Sequence, residues 1–437
     1  MGLITCKFGG SSLADTPCIR KVEAIIRANP ERRFIVPSAP GKRSEKDKKI
    51  TDLLYTWHDL AKQGLDASQP RGIIAARFEQ LATELGIAFD SHAHMEEIAA
   101  AGERHPEPDY MASRGEYLNG ILTAELLDAT FVDPAQSIFF DEEGILDDKT
   151  YDVLAERLSG DGLFVVPGFY GVLPDGRIKT FSRGGSDVTG AIVARATGSS
   201  LYENWTDVSG FRMTDPKIVP EARHIAKITY KELRELSYMG AKVLHDEAIF
   251  PVRESGIPIS IRNTHDLDAT GTIIVSERES TTPVCGIAGR KGFSMITIEK
   301  ALMNRELGFG RRVLTILEEF GISFEHMPSS IDTISVIVSD EALGNHGPAV
   351  LKVIKQRCEP DRVELSPNLA LIATVGQGMA GHIGIAGTLM GALAKTNVNI
   401  RVIDQGSSEN NIIVGVEDKD LETAVRAIYE AFTDDKE

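Results

Sequence analysis

A lysine followed by glycines and serines comes directly after the first apolar segment of the chain. Residues 3–8 predict a strand, and Gly9, Gly10 and Ser11 lead into a helix that we expect to begin near Asp15. Glycines let the backbone approach an anion closely, and the amides at a helix start point towards it. Lys7 adds a full positive charge. The stretch is therefore a candidate phosphate site, although a tight turn is the simpler explanation of a single such loop.

A second Gly-Gly loop stands before another predicted helix, again between a cation and an acid. Its cation, Arg183, suits a bidentate contact with a carboxylate or a phosphate. Its acid, Asp187, has two open roles, since it could serve the site or cap the helix. Two such loops in one chain are harder to attribute to chance than one, which strengthens the prediction of an anion site.

Other candidates also follow predicted strands or open predicted helices. Ser38 comes straight off a strand end and could offer a hydroxyl group to a ligand. Ser113 and Glu116 have the spacing of a capping box, which we prefer there to a ligand role. Residues 205–211 suit adenine and ribose contacts, or equally a plain Ω-loop. Lys242 at a predicted helix start indicates an anion nearby, since cations are unfavourable there.

Strands and helices alternate through roughly the first two thirds of the chain. This alternation predicts a mostly parallel sheet covered on both faces, with ligands at the carboxyl ends of its strands. The predicted strands are residues 3–8, 34–37, 130–132, 163–167, 201–205 and 257–261, and the predicted helices are residues 21–27, 52–62, 115–128, 186–197 and 230–255.

The composition bounds the function. The chain has 437 residues, with 47 Lys and Arg against 64 Asp and Glu and a net charge of −17. This balance argues against nucleic acid as the main partner, because neutralising a phosphate backbone needs a basic face. Four scattered cysteines without a C-x-x-C pair indicate a reducing compartment. Since neither a signal peptide nor a long apolar segment is visible, we expect a cytoplasmic protein without a membrane partner.

From about Gly292 the pattern changes to short strands and amphipathic helices, and it repeats. Val313 and Leu317 correspond to Leu389 and Leu393, each 76 residues later. Each copy predicts the order β-α-β-β-α, with the apolar face of its first helix in a core. The sequence leaves open whether the copies fold one after the other or one is inserted into the other.

Taken together, the motifs of the first part resemble those of the aspartate kinases, within the amino acid kinase family. They appear in the family's order, and six ordered motifs make a specific signal although any one would be weak. The matching motifs are residues 7–12, 113–116, 183–187, 205–210, 214–216 and 240–245.

The resemblance implies a role for each matching residue. Lys7 would contact the transferring phosphoryl group, and Asp187 would orient the site. Glu116 would take the ammonium group of aspartate and Arg183 its α-carboxylate. The residues implied for aspartate are Ser38, Glu116, Arg183 and Ser186, and those implied for ATP are Lys7, Gly9, Gly10, Ser11, Thr206, Asp207, Lys217 and Lys242.

The implied chemistry agrees with the residue types. A substrate carboxylate is already ionised at neutral pH, so it needs no general base from the protein. The difficulty is to bring one anion onto another. Lysines, an arginine, backbone amides and Mg²⁺ supplied with ATP would offset the repulsion. We predict no metal site built by the protein itself.

The repeats resemble a tandem pair of ACT domains, modules that bind small amino acids. In that family effector sites form where the ACT domains of two chains meet, so the resemblance implies a homodimer or a dimer of dimers. Glu325 could hold the ammonium group of a lysine effector or be a solvent-facing strand charge, whereas threonine would need no such acid. The candidate effector residues are Met303, Gly308, Phe309, Glu325, Ser329 and Ser330.

The predicted architecture is α/β: an αβα sandwich with a mostly parallel sheet, the amino acid kinase fold, followed by two α+β ferredoxin-like ACT domains. The predicted domains are residues 1–285, 292–364 and 367–437. The resemblance implies a monofunctional aspartate kinase at the start of lysine, threonine and methionine synthesis, since no dehydrogenase segment follows the ACT pair. The alternatives are a kinase acting on glutamate or acetylglutamate, and a catalytically silent amino-acid sensor.

Overall fold

The computed structural model describes residues 2–102, 107–182, 184–241, 244, 250–279 and 282–433. The described residues form two compact units. The first unit is drawn from residues 1–211, 226–230 and 242–278, and the second from residues 212–225, 231–241 and 279–437. The chain therefore passes from one unit to the other several times.

Short strands dominate the first unit, and two long strands organise the second. In the described residues the strands are β1 (Ile4–Phe8), β2 (Arg32–Pro37), β3 (Thr130–Phe131), β4 (Phe164–Val165), β5 (Tyr170–Val172), β6 (Ile178–Thr180), β7 (Leu201–Thr206), β8 (Phe211–Arg212), β9 (His224–Ile225), β10 (Lys227–Thr229), β11 (Ile259–Asn263), β12 (Thr272–Val275), β13 (Gly286–Glu299), β14 (Thr333–Ser339), β15 (Arg362–Val375), β16 (Val402–Asp404) and β17 (Asn411–Glu417).

The helices alternate with these strands. Over the same residues they are α1 (Thr16–Arg27), α2 (Ile50–Lys62), α3 (Ser68–Leu85), α4 (Ser91–Gly102), α5 (Pro108–Leu127), α6 (Lys149–Arg157), α7 (Gly185–Ala196), α8 (Tyr230–Tyr238), α9 (Phe250–Glu254), α10 (Phe309–Glu319), α11 (Asp340–Leu343), α12 (Gly347–Cys358), α13 (Ile385–Lys395) and α14 (Leu421–Thr433).

Eight strands build the main sheet of the first unit, in the order β10-β12-β11-β7-β1-β2-β4-β3. All neighbours run parallel except β11 and β12. All five residues of β1 are buried, as expected for a strand covered on both faces. The mostly parallel sheet is confirmed, and β1 lies inside it between β7 and β2.

Two of the helix predictions are wrong. α5 begins at Pro108, a residue suited to the first helical turn, so Ser113 is not its N-cap. Ser113 instead lies buried inside α5, where its hydroxyl donates to the Tyr110 carbonyl at 2.7 Å. The single helix expected over residues 230–255 ends at Tyr238. Gly240, at φ 105°, turns the chain there in a conformation that glycine adopts readily.

The second unit contains a five-stranded antiparallel sheet in the order β14-β13-β15-β17-β16. β13 and β15 each run for 14 residues, long enough to serve two apolar cores. One core includes Ile296 and Val336, and the other includes Ile287 and Val414.

The two cores interleave along the chain. The start of β13, before the first predicted copy, pairs with the end of β15 and packs with the second copy. The end of β13 pairs with β14 and packs with the first copy. The first copy is therefore inserted after the opening strand of the second, a question that the sequence left open. The domain limits 1–285, 292–364 and 367–437 stay predictions.

Candidate functional site

Lys7 and Asp187 form an ion pair at the carboxyl edge of the main sheet. Lys7 is the next-to-last residue of β1, Asp187 lies in the first turn of α7, and Lys7 Nζ is 2.6 Å from Asp187 Oδ1. The side chains are only 9% and 15% exposed, so each charge depends on the other. Gly184, not Asp187, stands at the N-cap position of α7. The carboxylate is therefore committed to the lysine.

Asn204 completes this group, which we call the reaction centre (Lys7, Asp187 and Asn204). It stands beside Lys7 in the parallel register of β1 and β7, and its Nδ2 donates to Asp187 Oδ1 at 2.8 Å. Tyr202 Oη donates to the main-chain carbonyl of Asp187 at 3.0 Å. Sequence reasoning missed Asn204. The available signal was two adjacent polar residues, Glu203 and Asn204, inside a strand predicted to be buried, because buried polar groups need partners.

The glycine loop that follows β1 (Gly9, Gly10 and Ser11) lies against the reaction centre. Gly9 donates its amide to the Trp205 carbonyl at 2.9 Å, and Ser12 Oγ is 2.7 Å from Thr264 Oγ1. A Cβ atom at Gly9 would stand 3.5 Å from Lys7 Nζ. Because glycine has no side chain, the ammonium group of Lys7 is not screened on that side. The loop can thus bring a phosphate close to the lysine.

Two serines predicted to bind a substrate reach the same edge of the sheet. Ser38 follows β2, and its amide donates to the Phe8 carbonyl at the end of β1, at 3.0 Å. Gly168 donates to the Pro37 carbonyl at 3.1 Å, and a Cβ atom at Gly168 would lie 2.5 Å from Ser186 Oγ. The structure therefore brings Ser38 and Ser186 to the strand ends beside Lys7.

α5 buries a carboxyl group next to this edge. Glu116 is 7% exposed, and burial raises the pKa of its carboxyl to about 7, although a backbone hydrogen bond from Ala39 and the charge of Arg114 act the other way. Within the described part of the chain, Glu116 Oε2 has no hydrogen-bond partner. The interpretation of Glu116 as part of a capping box is wrong, because α5 starts eight residues earlier. A buried, unsatisfied carboxyl at a ligand edge suits an ammonium group.

The predicted nucleotide residues are only partly located. Thr206 ends β7 and donates through Oγ1 to Asp207 Oδ1 at 3.2 Å, with Asp207 exposed. Lys217 is exposed in the second unit, where its amide donates to Asp215. Arg183 and Lys242 lie outside the described residues, and their roles stay predictions.

The opposite face of the same strands carries a buried polar network. Glu203 accepts two hydrogen bonds from Arg32, at 2.8 and 3.1 Å, and one from Trp205 Nε1 at 2.9 Å. The Cys6 thiol donates to the same carboxylate at 3.4 Å, and burial raises the pKa of that thiol well above its ordinary value. This network joins β1, β2 and β7 on the face of the sheet opposite Lys7.

The predicted effector residues lie in the second unit. Met303 and Phe309 are buried in the core of the first copy, so their side chains pack there. Gly308 precedes α10 with φ 76°, a left-handed conformation that favours glycine. Ser329 and Ser330 are exposed.

Glu325 has a neighbour from an element earlier in the chain. Its carboxylate accepts a hydrogen bond from Tyr238 Oη, at the end of α8, and its amide donates to the Ile337 carbonyl at 2.8 Å. The side chain is half-buried rather than fully solvated. An effector that used this carboxylate would compete with Tyr238 for it.

Three further findings concern the described residues alone. They contain no group of three or more His, Cys, Asp or Glu placed to hold a metal ion. None of their helices combines the length and apolar character needed to cross a membrane. The four cysteines are free thiols.

Known proteins resemble this chain in family profile and in sequence. The profile of the amino acid kinase family matches residues 2–263, and an ACT domain profile matches residues 372–432. Aspartokinase 3 of Bacillus subtilis is 38% identical over 443 residues, which cover 98% of each chain. Lysine-sensitive aspartokinase 3 of Escherichia coli is 27% identical, again over 98% of each chain.

Solved structures match over the whole chain. Aspartate kinase of Clostridium acetobutylicum is 50% identical with a TM-score of 0.92, covering 99% of this chain and 100% of that one. Escherichia coli aspartokinase III in complex with aspartate and ADP is 26% identical with a TM-score of 0.77, covering 98% and 99%. The chain therefore belongs to the amino acid kinase family and has its fold. Within that family it belongs with the aspartate kinases that carry ACT domains.

Proposed function

We propose that this chain transfers the γ-phosphoryl group of ATP to the β-carboxylate of L-aspartate, giving 4-phospho-L-aspartate and ADP. The observation that carries the proposal is the reaction centre at the glycine loop, with Lys7 Nζ 2.6 Å from Asp187. An ammonium group has three hydrogens, so Lys7 keeps donors for phosphoryl oxygens beyond the one given to Asp187. The Escherichia coli relative solved with aspartate and ADP, one substrate and one product of this reaction, supports the proposal.

In this proposal the protein offsets charge and does not remove a proton. Lys7 stabilises the transferring phosphoryl group, and Asp187 orients the ammonium group of Lys7. The loop of Gly9, Gly10 and Ser11 lies against the phosphates, and the backbone amides of Gly10 and Ser11 hold them, because the Gly9 amide already donates to the Trp205 carbonyl. The nucleophile is an ionised carboxylate, so the barrier comes from bringing two anions together, which fixed positive groups lower.

The aspartate would lie between the end of β2 and the middle of α5. Glu116 takes its ammonium group, and the cation restores the ionised state that burial disfavours. The hydroxyl groups of Ser38 and Ser186 donate hydrogen bonds to its carboxylates. Arg183 clamps the α-carboxylate.

Mg²⁺ enters this scheme with ATP. Mg²⁺ commonly keeps several waters and binds through substrate phosphates with one or two carboxylates. Bound in that way, it supplies positive charge to the phosphates. The nucleotide itself would contact Thr206, Asp207 and Lys242.

We assign the regulation to the second unit. Lysine, threonine or both would inhibit the enzyme through the ACT pair, at a site formed in a homodimer or dimer of dimers. An Escherichia coli relative solved with lysine and aspartate supports an amino-acid effector. A monofunctional kinase is supported by the Bacillus subtilis relative, which matches over 98% of both chains. The free thiols fit a reducing cytoplasm, where the reaction would begin lysine, threonine and methionine synthesis.

The test is aspartate-dependent ADP release in the presence of Mg²⁺, with L-glutamate as the control acceptor. We expect turnover with aspartate and not with glutamate, and inhibition by lysine, threonine or their mixture. Equal turnover with glutamate would show that aspartate is not the specific acceptor and would contradict the proposal. Absence of turnover, with a thermal shift on adding lysine or threonine, would instead identify an amino-acid sensor.

A further inference from the structure

A buried arginine outside the reaction centre joins two loops at the carboxyl edge of the main sheet, which we call the substrate edge. Arg77 stands in the middle of α3 and its side chain is only 4% exposed. Its Nη2 donates to the Ala14 carbonyl at 2.5 Å and to the Gly41 carbonyl at 2.9 Å, while Nη1 donates to Asp47 Oδ2 at 2.8 Å. One planar guanidinium group thus holds three acceptors from two different loops.

Those loops are the phosphate loop (residues 9–14) and the loop after β2 (residues 38–47). They interlock through two glycines, since the Gly41 amide donates to the Gly10 carbonyl at 2.8 Å. A Cβ atom at Gly41 would lie 2.5 Å from that oxygen, and one at Gly10 would lie 2.9 Å from the Ala39 carbonyl. Backbone touches backbone here, so a small shift of one loop must move the other.

The loop after β2 also reaches the proposed aspartate residues. Ser38 begins it, and its carbonyl accepts from Asn119 Nδ2 of α5 at 2.6 Å. Ala39 donates the backbone hydrogen bond that Glu116 receives. The loop is therefore fixed on one side by α5 and on the other by the phosphate loop and Arg77.

The charge of Arg77 is balanced within the same loop. Asp47 receives hydrogen bonds from Arg43 and from Arg77, which hold the pKa of its carboxyl well below its ordinary value. Arg43 is exposed, whereas Arg77 is buried and carries both main-chain contacts. Asp47 compensates the charge, and the geometry of the two loops rests on Arg77.

We propose that Arg77 is a positioning residue that holds the phosphate loop and the loop after β2 in the arrangement needed to bind ATP and aspartate together. The inference rests on the proposed function only in taking aspartate as the second substrate. Arg77 touches neither reacting group in this scheme. It acts by fixing Gly41 and Ala14, and through them Gly10 and Ser38.

Arg77→Lys is the sharpest variant, because lysine keeps the charge but lacks the planar fork that reaches three acceptors. We expect the KM for ATP and the KM for aspartate both to rise about ten-fold, with a smaller fall in kcat and a lower Tm, because buried main-chain acceptors lose a donor. Arg71→Lys is the matched control. Arg71 lies on the same helix but is half-buried at the surface and pairs with Glu96, so its kinetics should equal those of the wild type.

A purely structural role predicts a different result. If Arg77→Lys lowers only the active fraction, kcat per milligram falls with both KM values unchanged, and the inference is overturned. Asp47→Asn provides a second variant should Arg77→Lys not fold. This substitution weakens the contact between Arg77 and Asp47 by removing the charge of Asp47, and we expect a smaller rise in both KM values.

Calorimetric titration with ADP separates this inference from the proposed function. The Kd for ADP needs no aspartate, and we expect it to rise in Arg77→Lys but not in Arg71→Lys. Wild-type enzyme that binds ADP but does not phosphorylate aspartate would contradict the proposed function and leave the ADP result to decide on Arg77. An unchanged Kd for ADP in Arg77→Lys would overturn the positioning role.

Discussion

Each charged side chain of the reaction centre is fixed by a neighbour on another element. Asp187 on α7 receives Lys7 from β1 and Asn204 from β7. Removing a charge from water costs free energy that the partner charge repays only when further hydrogen bonds satisfy the remaining lone pairs. Asn204 provides such a bond. It therefore helps to hold the carboxylate of Asp187 that orients the ammonium group of Lys7.

Asn204→Leu tests this function of the amide, because leucine has a similar shape and donates nothing. We expect kcat to fall about ten-fold or more, since a buried hydrogen bond to a charged group is lost, while the KM values change little. Thr5→Val is the control. It removes a buried hydroxyl from the same strand as Lys7, but one that pairs with Ser199. An unchanged kcat in Asn204→Leu would remove Asn204 from the reaction centre.

Glu116 predicts a pH dependence. Burial raises the pKa of its carboxyl to about 7, so in the free enzyme the ionised fraction grows as the pH rises through that value. If the ionised form binds the ammonium group of aspartate, the KM for aspartate should fall about ten-fold from about pH 6 to about pH 8. In Glu116→Gln the KM should be higher and nearly flat. A wild-type KM independent of pH over this range would rule out the role.

The same residue affects stability with a defined sign. Its folded pKa lies above the ordinary value of 4.5, so the neutral form is favoured by folding. The stability this provides is complete below about pH 4.5 and is lost as the pH rises through 7. Glu116→Gln should therefore raise the Tm of the ligand-free protein more at pH 8 than at pH 5. An equal shift at both pH values would contradict the raised pKa.

Local patterns identified some of these residues and misassigned others. Lys7 and Asp187 are found from the sequence because each stands in a Gly-Gly loop beside a predicted helix. Ser113 and Glu116 match a capping box locally, but Pro108 starts the helix upstream and buries both. Asn204 and Arg77 were missed because their partners lie far away in the sequence, so no local pattern reports the pairing.

At the scale of elements, two strand ends and their loops build the substrate edge. β1 and β2 are parallel neighbours, so both loops leave the sheet on the same side. Gly41 and Gly10 then pack backbone against backbone. This close approach allows no side chain between the loops.

Gly41→Ala should disturb both loops. Its Cβ atom would lie 2.5 Å from the Gly10 carbonyl oxygen, so the backbone must shift. We expect a higher KM for ATP and a loss of stability of roughly 1–3 kcal/mol. Gly72→Ala is the control, because it lies in α3 with no atom within 4 Å of the new Cβ and should be neutral or slightly stabilising. Similar behaviour of the two variants would contradict the interlock.

The sequence predicted where the strands of the sheet lie better than where helices begin and end. The six predicted strands all occur, each with its ends within two residues of the prediction. Buried parallel strands read as short apolar runs, which are easily located. The prediction of one helix over residues 230–255 was wrong because the apolar spacing in the sequence continues past Gly240, where the backbone turns with positive φ.

At the scale of the whole molecule, the second unit is an inserted pair of similar folds. The repeat in the sequence predicted two copies, and each apolar core contains one of them. The insertion could not be predicted, because side-chain periodicity gives the strands but not which strands pair. It follows from β13 and β15, each of which serves both cores.

Glu325 links this unit to the choice of effector. Its carboxylate accepts from Tyr238, so a lysine effector would replace a neutral donor by a charged one. Glu325→Gln should raise the lysine concentration for half inhibition about ten-fold or more, and leave inhibition by threonine unchanged. Tyr238→Phe should lower that lysine concentration because it frees the carboxylate. Unchanged lysine inhibition in Glu325→Gln would exclude this residue from the effector site.

The central claim is that the reaction centre phosphorylates the β-carboxylate of aspartate, and trapping the acyl phosphate with hydroxylamine tests it most directly. We predict that the wild type with ATP, Mg²⁺ and L-aspartate yields the β-hydroxamate. Lys7→Met should form it about a hundred-fold or more slowly, with a similar KM for ATP. A β-hydroxamate that fails to form, or that Lys7→Met forms at the wild-type rate, would contradict the account.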